Sequence, residues 1–103
     1  MVAQGDIWLM EPNNGKRRPV LIVSRDSSIP VLTNVVVAPI TSTLRAIPTN
    51  ITVGADEGID HESVATFDNL STVPKSALLH RLGDLGPFGF HKICTALGAL
   101  ADC

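Results

Sequence analysis

The sequence predicts a mostly β fold with one C-terminal helix. Six short segments rich in β-branched and aliphatic residues are separated by turn-forming residues, a pattern typical of a small antiparallel sheet or barrel. The last segment instead repeats its apolar residues at helical spacing. Because the chain has 103 residues, we expect a single domain over residues 1–103.

The predicted strands span residues 5–10, 18–24, 34–41, 49–53, 63–68 and 78–82. The first two are joined by residues 11–15, where Asn14-Gly15 is a strong hairpin signal. Pro19 suits the start of the second strand because proline has no N–H to donate to a neighbouring strand. For the same reason, Pro39 predicts an edge position or a bulge in the third strand.

The C-terminal segment is predicted to be a helix. Pro87 suits a first helical position, where a missing N–H costs nothing. Gly89 and Gly98 weaken the helical tendency of the segment. The apolar stripe is expected to comprise Phe90, Ile93, Cys94, Leu97, Leu100 and Ala101.

Composition excludes several classes of protein. A net charge of −2 argues against non-specific nucleic-acid binding, and a hydrophobic fraction of 45% leaves apolar surface for an oligomer interface. Cys94 and Cys103 form neither a disulfide framework nor a metal spacing, so we expect free thiols in a reducing compartment. The sequence shows neither a signal peptide pattern nor an apolar run of membrane-spanning length, which predicts a cytoplasmic protein.

Three cations, Lys16, Arg17 and Arg18, stand directly before Pro19 and the apolar run of the second strand. Cations held at the end of a rigid strand are well placed to bind an anion, and a guanidinium can contact two phosphate oxygens at once. Equally, they can be solvated charges that protect a sheet edge from aggregation. The residues alone leave both interpretations open.

Two further groups can take part in phosphate chemistry. Thr41, Ser42 and Thr43 follow the third strand, where their hydroxyls can donate to phosphate oxygens or simply bond the backbone of a turn. Asp68 shares a strand face with Thr66 and can orient or deprotonate a sugar hydroxyl, although an Asp before a turn is common.

The remaining candidate residues give weaker signals. His61 and His91 are expected on the surface, while His80 can approach a site from the end of its strand. No histidine spacing indicates a metal, so no cofactor is expected. Trp8 and Phe67 are expected in the core or an interface rather than stacked on bases.

Five segments in order resemble the MazF/PemK family, the toxin half of prokaryotic toxin–antitoxin pairs. They are Gly5-Asp6-Ile7-Trp8, the motif Arg18-Pro19-Val20-Leu21-Ile22-Val23-Ser24, Val37-Ala38-Pro39-Ile40-Thr41-Ser42, Asp68-Asn69-Leu70-Ser71-Thr72-Val73 and Arg81-Leu82-Gly83-Asp84-Leu85. The resemblance implies a small SH3-like barrel of the CcdB/PemK type that forms a homodimer. It also implies a metal-independent, sequence-specific endoribonuclease that cuts single-stranded RNA, inhibits translation and is neutralised by a cognate antitoxin.

The resemblance also assigns roles to residues. Arg18 and Thr41 match the family's usual catalytic pair, and Asp68 matches an acid that acts in some members. We expect RNA contacts from Lys16, Arg17, Ser42, Arg45 and Asn69. In the implied reaction the RNA 2′-OH attacks its own phosphate and leaves 2′,3′-cyclic phosphate and 5′-OH ends, while fixed donors stabilise the developing charge.

The chain departs from the family pattern at three places. Its first loop lacks a clear counterpart of a glutamate used by some members, Asn69 replaces a common Gln, and Thr66 replaces an Arg. These changes leave open which residue moves the proton and which RNA sequence is preferred. The alternative function is a non-catalytic toxin on the same barrel that inhibits DNA gyrase, as the CcdB family does, or binds RNA without cutting. The presence of both Arg18 and Thr41 favours the enzyme.

Overall fold

The computed structural model describes residues 1–11 and 15–102. It contains seven strands and one helix: β1 (Asp6–Met10), β2 (Arg18–Ile22), β3 (Asn34–Thr41), β4 (Asn50–Val53), β5 (Ser63–Thr66), β6 (Ser71–Pro74), β7 (Leu78–Asp84) and α1 (Gly89–Ala101). All six predicted strands and the helix are confirmed. The turn predicted at Asn14-Gly15 falls partly outside the described residues, although β1 and β2 do pair as antiparallel neighbours.

The strands form a curled antiparallel sheet in the order β4-β5-β3-β2-β1-β7, with β6 also paired to β3. The long β3 changes its neighbour along its length: β6 lies beside Asn34–Val37, and β5 lies beside Ile40 and Thr41. Pro39 lies between these two stretches, opposite Val20 of β2. Pro39 was predicted to lie at an edge or a bulge. β3 is instead paired on both sides, and the missing N–H of Pro39 falls at the point where the outer neighbour changes from β6 to β5.

The sheet curls until the loop after β4 touches β7. A Cβ atom on Gly58 would lie 2.1 Å from the carbonyl oxygen of Leu82, and one on Gly83 would lie 2.2 Å from that of Glu57. Gly58 also has a φ of +87°, which side chains other than glycine rarely adopt. Two glycines thus let the two backbones pack directly, and this contact closes the half-barrel.

Each face of the sheet carries a hydrophobic core. Leu21 packs in a first core with Ile7, Phe67 and the helix, while its neighbours Val20 and Ile22 point into a second core. The uninterrupted apolar run of β2 is explained by this arrangement, because successive side chains of a strand point to opposite faces. Phe67 is a core residue as predicted, and Trp8 is half-buried against the second core.

The helix buries a narrower stripe than predicted. Ile93 and Ala96 are fully buried and Leu97 packs on the first core, whereas Phe90, Cys94, Leu100 and Ala101 are exposed. The helix makes its main contacts with β4 and the turn at residues 67–69, so one row of side chains suffices to cover the core. Pro87 lies two residues before the first helical residue rather than at it.

One predicted boundary and one missed strand also needed correction. β5 ends at Thr66, and Phe67–Asn69 forms a 3-10 turn instead of continuing the strand. The unpredicted β6 is mostly exposed and ends in a proline, so its sequence carries little strand signal.

Cys94 is a free exposed thiol, while Cys103 lies outside the described residues. Within the described chain, no helix is long and apolar enough to cross a membrane.

Candidate functional site

The start of β2 and the end of β3 bring Arg18 and Thr41 together. These strands are antiparallel, with Val20 opposite Pro39. Continuing this register by two residues places Arg18 beside Thr41. Both residues line one open cavity of about 570 Å³. Two segments that are distant in the sequence therefore form one site through ordinary strand pairing.

Most of the cavity wall comes from three parts of the fold. The ends of β2 and β3 supply Lys16, Arg18, Thr41 and Ser42, and β7 supplies Leu82. The acidic loop, which we define as residues 54–62 between β4 and β5, supplies Gly58 to His61. The cavity thus combines cations and hydroxyls from the sheet with Asp60 and His61 from the loop.

Arg18 is the cation best suited to bind an anion here. Its side chain is exposed at the first position of β2. It forms no ion pair or hydrogen bond with any residue that the structure describes. Because no described carboxylate neutralises it, the guanidinium can offer its donors to an anion that enters the cavity.

Thr41 presents its hydroxyl in a defined position. Its Oγ1 accepts a hydrogen bond from the backbone N–H of Thr43 at 3.3 Å. An oxygen that accepts this bond can still donate its own proton to a phosphate oxygen. The two interpretations of the hydroxyl row, turn former and phosphate donor, are therefore compatible in this structure.

A second cavity of about 320 Å³ adjoins the first and shares Thr41 with it. It is lined by Arg45, Asp68 and Asn69, together with residues of β4 and β5. The Oδ2 atom of Asp68 accepts a hydrogen bond from the Thr49 hydroxyl at 2.6 Å, which holds the carboxylate in place. Asp68 therefore lies on the far side of Thr41 from Arg18.

The structure divides the eight predicted site residues into three groups. Lys16, Arg18, Thr41 and Ser42 line the first cavity, and Arg45, Asp68 and Asn69 line the second. Arg17 lines neither cavity. Its Nε atom lies 3.7 Å from the Glu11 carboxylate, on the exposed surface.

Sequence reasoning missed Asp60 and His61, which line the first cavity. His61 was expected on the surface, and its side chain is indeed 61% exposed, but at the cavity rim. Its Nδ1 atom lies 2.6 Å from Oδ1 of Asp60. The sequence signal that could have indicated an anchored loop was the presence of Gly54, Gly58 and the apolar Ile59. Ile59 is indeed buried in the structure. His80, on β7, lies outside both cavities.

A different polar cluster joins β1 to β7. The buried carboxylate of Asp6 accepts hydrogen bonds from the Ala3 N–H at 3.0 Å, from Trp8 Nε1 at 3.2 Å and from Arg81 Nε at 3.2 Å. Arg81 also bonds the carboxylate of Asp84. The hydrogen bond and charge of Asp6, with a smaller contribution from Asp84, raise the pKa of Arg81 above its usual value. These groups satisfy one another, so the cluster is structural.

No group of three or more His, Cys, Asp or Glu side chains is placed to hold a metal ion in the part of the chain that the structure describes. The candidate site is therefore built from one arginine, one threonine and the polar groups around them.

Comparison with known proteins shows the family of the chain. A family model described as PemK-like, MazF-like toxin of type II toxin-antitoxin system matches residues 3–101. The probable endoribonuclease MazF5 of Mycobacterium tuberculosis is 37% identical over 103 residues, which cover 98% of this chain and 94% of the relative. Endoribonuclease MazF3 of the same species is 46% identical over 87 residues, 84% of each chain.

Solved structures show the same fold. The Mycobacterium tuberculosis toxin MazF-mt6 has a TM-score of 0.84 and 37% identity, with 94% of this chain and 96% of that chain covered. A mycobacterial endoribonuclease in complex with its cognate antitoxin has a TM-score of 0.82 and 29% identity, with 98% and 96% covered. On the family model, the sequence identities and the shared fold, the chain belongs to the PemK/MazF family of type II toxin–antitoxin toxins.

Proposed function

We propose that the chain cleaves single-stranded RNA in the first cavity, with the scissile phosphate bound between Arg18 and Thr41. The observation that supports this most directly is the pairing of β2 with β3, which brings an arginine without a described carboxylate partner beside a threonine hydroxyl. Family membership supplies the reaction class, since the mycobacterial relatives are named endoribonucleases.

The proposed reaction is an internal transesterification. The 2′-OH attacks the adjacent phosphorus, the bond to the 5′-oxygen breaks, and the products carry 2′,3′-cyclic phosphate and 5′-OH ends. Negative charge builds up on the non-bridging oxygens, where the Arg18 guanidinium and the Thr41 hydroxyl are available as hydrogen-bond donors. DNA is excluded because it lacks the attacking hydroxyl. Duplex RNA reacts poorly because its stacked backbone cannot align for in-line attack.

The second cavity is proposed to hold a nucleotide next to the cleaved bond. It begins at Thr41, where the first cavity ends, so an extended strand bound at Thr41 can enter both. Asp68 and Asn69 provide acceptor and donor groups for a base or for a ribose hydroxyl, and Arg45 provides a charge for the next phosphate. In this proposal Asp68 acts on the same substrate from the neighbouring cavity.

The proposed partners follow from the same surface. A relative's structure contains its cognate antitoxin. We propose that an antitoxin of this chain also covers the cavities and thereby excludes RNA. We further propose a cytoplasmic homodimer, supported by the exposed apolar side chains of Val31, Leu32, Phe88 and Phe90. Light scattering at micromolar concentration should give twice the chain mass, and a monomer would contradict the dimer.

The decisive experiment is to incubate purified, antitoxin-free protein with a long single-stranded RNA in EDTA and to map the new 5′ ends. Discrete cuts at one short motif, with 5′-OH ends, are expected. Cleavage that requires added metal would contradict the proposed chemistry. A folded protein that cuts nothing would favour the alternative, a non-catalytic toxin, and inhibition of DNA gyrase would then be measured.

A further inference from the structure

We infer that His61 is the general base that removes the proton from the attacking 2′-OH, and that Asp60 is the positioning residue for its imidazole. The inference rests on the proposed RNA cleavage in the first cavity and identifies the residue that moves the proton. It starts from two side chains of the acidic loop that line the same cavity as Arg18 and Thr41.

The acidic loop is held rigidly at its first half. The N–H of Gly54 donates to the Glu57 carboxylate at 2.7 Å, and the N–H of Ile59 donates to the Gly54 carbonyl at 3.0 Å. The backbone of Gly58 packs directly on β7 at Leu82, and the side chain of Ile59 is buried in the first core. These contacts leave the loop little freedom to move away from the cavity.

The backbone of His61 is held on its other side as well. The buried hydroxyl of Ser63, at the start of β5, donates to the His61 carbonyl at 3.1 Å. His61 thus lies between an anchored residue, Ile59, and the first residue of a strand. The backbone that carries the imidazole therefore needs little reorganisation when the substrate binds, although the His61 and Asp60 side chains themselves are 61% and 92% exposed.

The contact with Asp60 determines which nitrogen of the neutral imidazole carries the proton. Nδ1 of His61 lies 2.6 Å from Oδ1 of Asp60, and a carboxylate can only accept in such a bond. Nδ1 therefore carries the proton, and Nε2 of the neutral ring presents a lone pair. The carboxylate also stabilises the imidazolium that forms when Nε2 takes a proton, which is the logic of a His–Asp pair in other enzymes.

The other groups in the cavity are less suited to this task. A guanidinium stays charged in proteins and has no lone pair to accept a proton, which limits Arg18 to charge stabilisation. Asp68 lines the neighbouring cavity rather than this one. The charged groups around His61 are Asp60, Lys16 and Arg18 in the cavity and Glu62 next in the chain. Histidine is the side chain whose ordinary pKa suits proton transfer near neutral pH.

The step balances as follows. Nε2 of His61 takes the 2′-OH proton while the 2′-oxygen forms its bond to phosphorus. The bond from phosphorus to the 5′-oxygen breaks, and that oxygen keeps the electron pair and takes a proton from solvent. The imidazolium then returns its proton to solvent. No oxidant, reductant or metal enters the balance.

The test compares wild type, His61→Gln and Asp60→Asn with the control His80→Gln, whose histidine is also exposed but lies outside both cavities. Single-turnover cleavage of a short RNA at saturating enzyme is measured from about pH 5 to about pH 9, with folding checked by circular dichroism. His61→Gln should slow cleavage by about 10²- to 10⁴-fold and flatten the acidic limb of the pH–rate profile. Asp60→Asn should slow cleavage less and shift that limb, because it removes only the positioning residue. The control should match wild type.

A second substrate distinguishes a general base, which acts on the 2′-OH, from a general acid, which protonates the leaving 5′-oxygen. A sulfur in place of the 5′-oxygen leaves without protonation, so the defect of His61→Gln should persist on it if His61 is the base. Disappearance of the defect would overturn the assignment, as would a folded His61→Gln protein that cleaves at the wild-type rate or is impaired only in binding. If wild type itself cuts no RNA, the proposed function fails, an outcome distinct from a defect confined to His61.

Discussion

Two arginines, Arg18 and Arg81, lie on the strands either side of β1 and have opposite surroundings. Arg18 is opposite Met10, and Arg81 is opposite Trp8. Both side chains are exposed, yet that of Arg81 bonds two carboxylates while that of Arg18 bonds no group that the structure describes. Residue type and exposure are thus shared, and the neighbouring carboxylates decide which arginine supports the fold and which can bind substrate.

The largest expected effect separates the two arginines by activity. Arg18→Ala should lower the rate of RNA cleavage by at least about 10²-fold, because it removes a donor aimed at charge that develops in the transition state. Its free energy of unfolding should change by less than about 0.5 kcal/mol, since no described partner is lost. Cleavage assays and urea unfolding measure the two quantities. A variant that cuts RNA normally would contradict the assignment of Arg18.

The next effect tests whether the strand that carries Arg81 also supports the cavity. Gly83→Ala should cost about 3 kcal/mol of stability, because the new Cβ would lie 2.2 Å from the Glu57 carbonyl oxygen. Since this contact anchors the acidic loop, cleavage should fall even at temperatures where the variant is folded. Urea unfolding and cleavage rates check both parts.

Gly98→Ala is the matched control for this prediction. Its Cβ would meet no atom within 4 Å, and alanine favours a helix, so stability should rise by about 0.5 to 1 kcal/mol. Equal stability of the two variants would show that the contact between the acidic loop and β7 is not tight.

The third effect removes the partner of Arg81. Asp6→Ala should cost about 2 kcal/mol of stability, because a buried acceptor of three hydrogen bonds is lost. RNA cleavage below the melting temperature should be unchanged, because Asp6 lines neither cavity. A large loss of activity in folded protein would break the distinction between the structural and the substrate-binding arginine.

The pH dependence of this cluster follows from Arg81. Its pKa is raised in the folded protein, so its contribution to stability is fully present below the pKa of the unfolded chain and is lost only as pH rises through the higher folded value. The stability difference between wild type and Arg81→Gln should therefore be constant from about pH 6 to about pH 9. Urea unfolding at several pH values tests this, and a difference that shrinks across the range would contradict it.

The smallest effect concerns Arg17, whose contact with Glu11 is long and exposed on both sides. Arg17→Ala should change the free energy of unfolding by less than about 0.5 kcal/mol and leave the rate of the cleavage step unchanged. If Arg17 contacts an RNA phosphate, the slope of log affinity against log salt for a 2′-deoxy oligonucleotide should fall by about 0.7. An unchanged slope would remove Arg17 from the predicted RNA contacts.

Much of the fold could be predicted from local patterns. The strand at residues 34–41 was predicted with the bounds that the structure has, because its β-branched run has no competing helical period. β6 was missed because an exposed strand that ends in proline has neither a strong apolar pattern nor a strong strand propensity. The apolar stripe of the helix was predicted to be wider than it is. The spacing of apolar residues identifies a helix, but the elements that pack against it, mainly β4 and the turn at residues 67–69, decide which of those residues are buried.

The sequence by itself determined the alternation of short strands and the terminal helix, and its motifs proposed Arg18 and Thr41 as the catalytic pair, since all of these depend on residues close together in the chain. Only the tertiary structure decided that Asp68 lines a neighbouring cavity and that His61 lines the same cavity as Arg18. The second placement depends on Gly58 and Gly83, which let two distant backbones touch. A contact of this kind leaves no periodic trace in the sequence, because it joins single residues whose only shared property is the absence of a side chain.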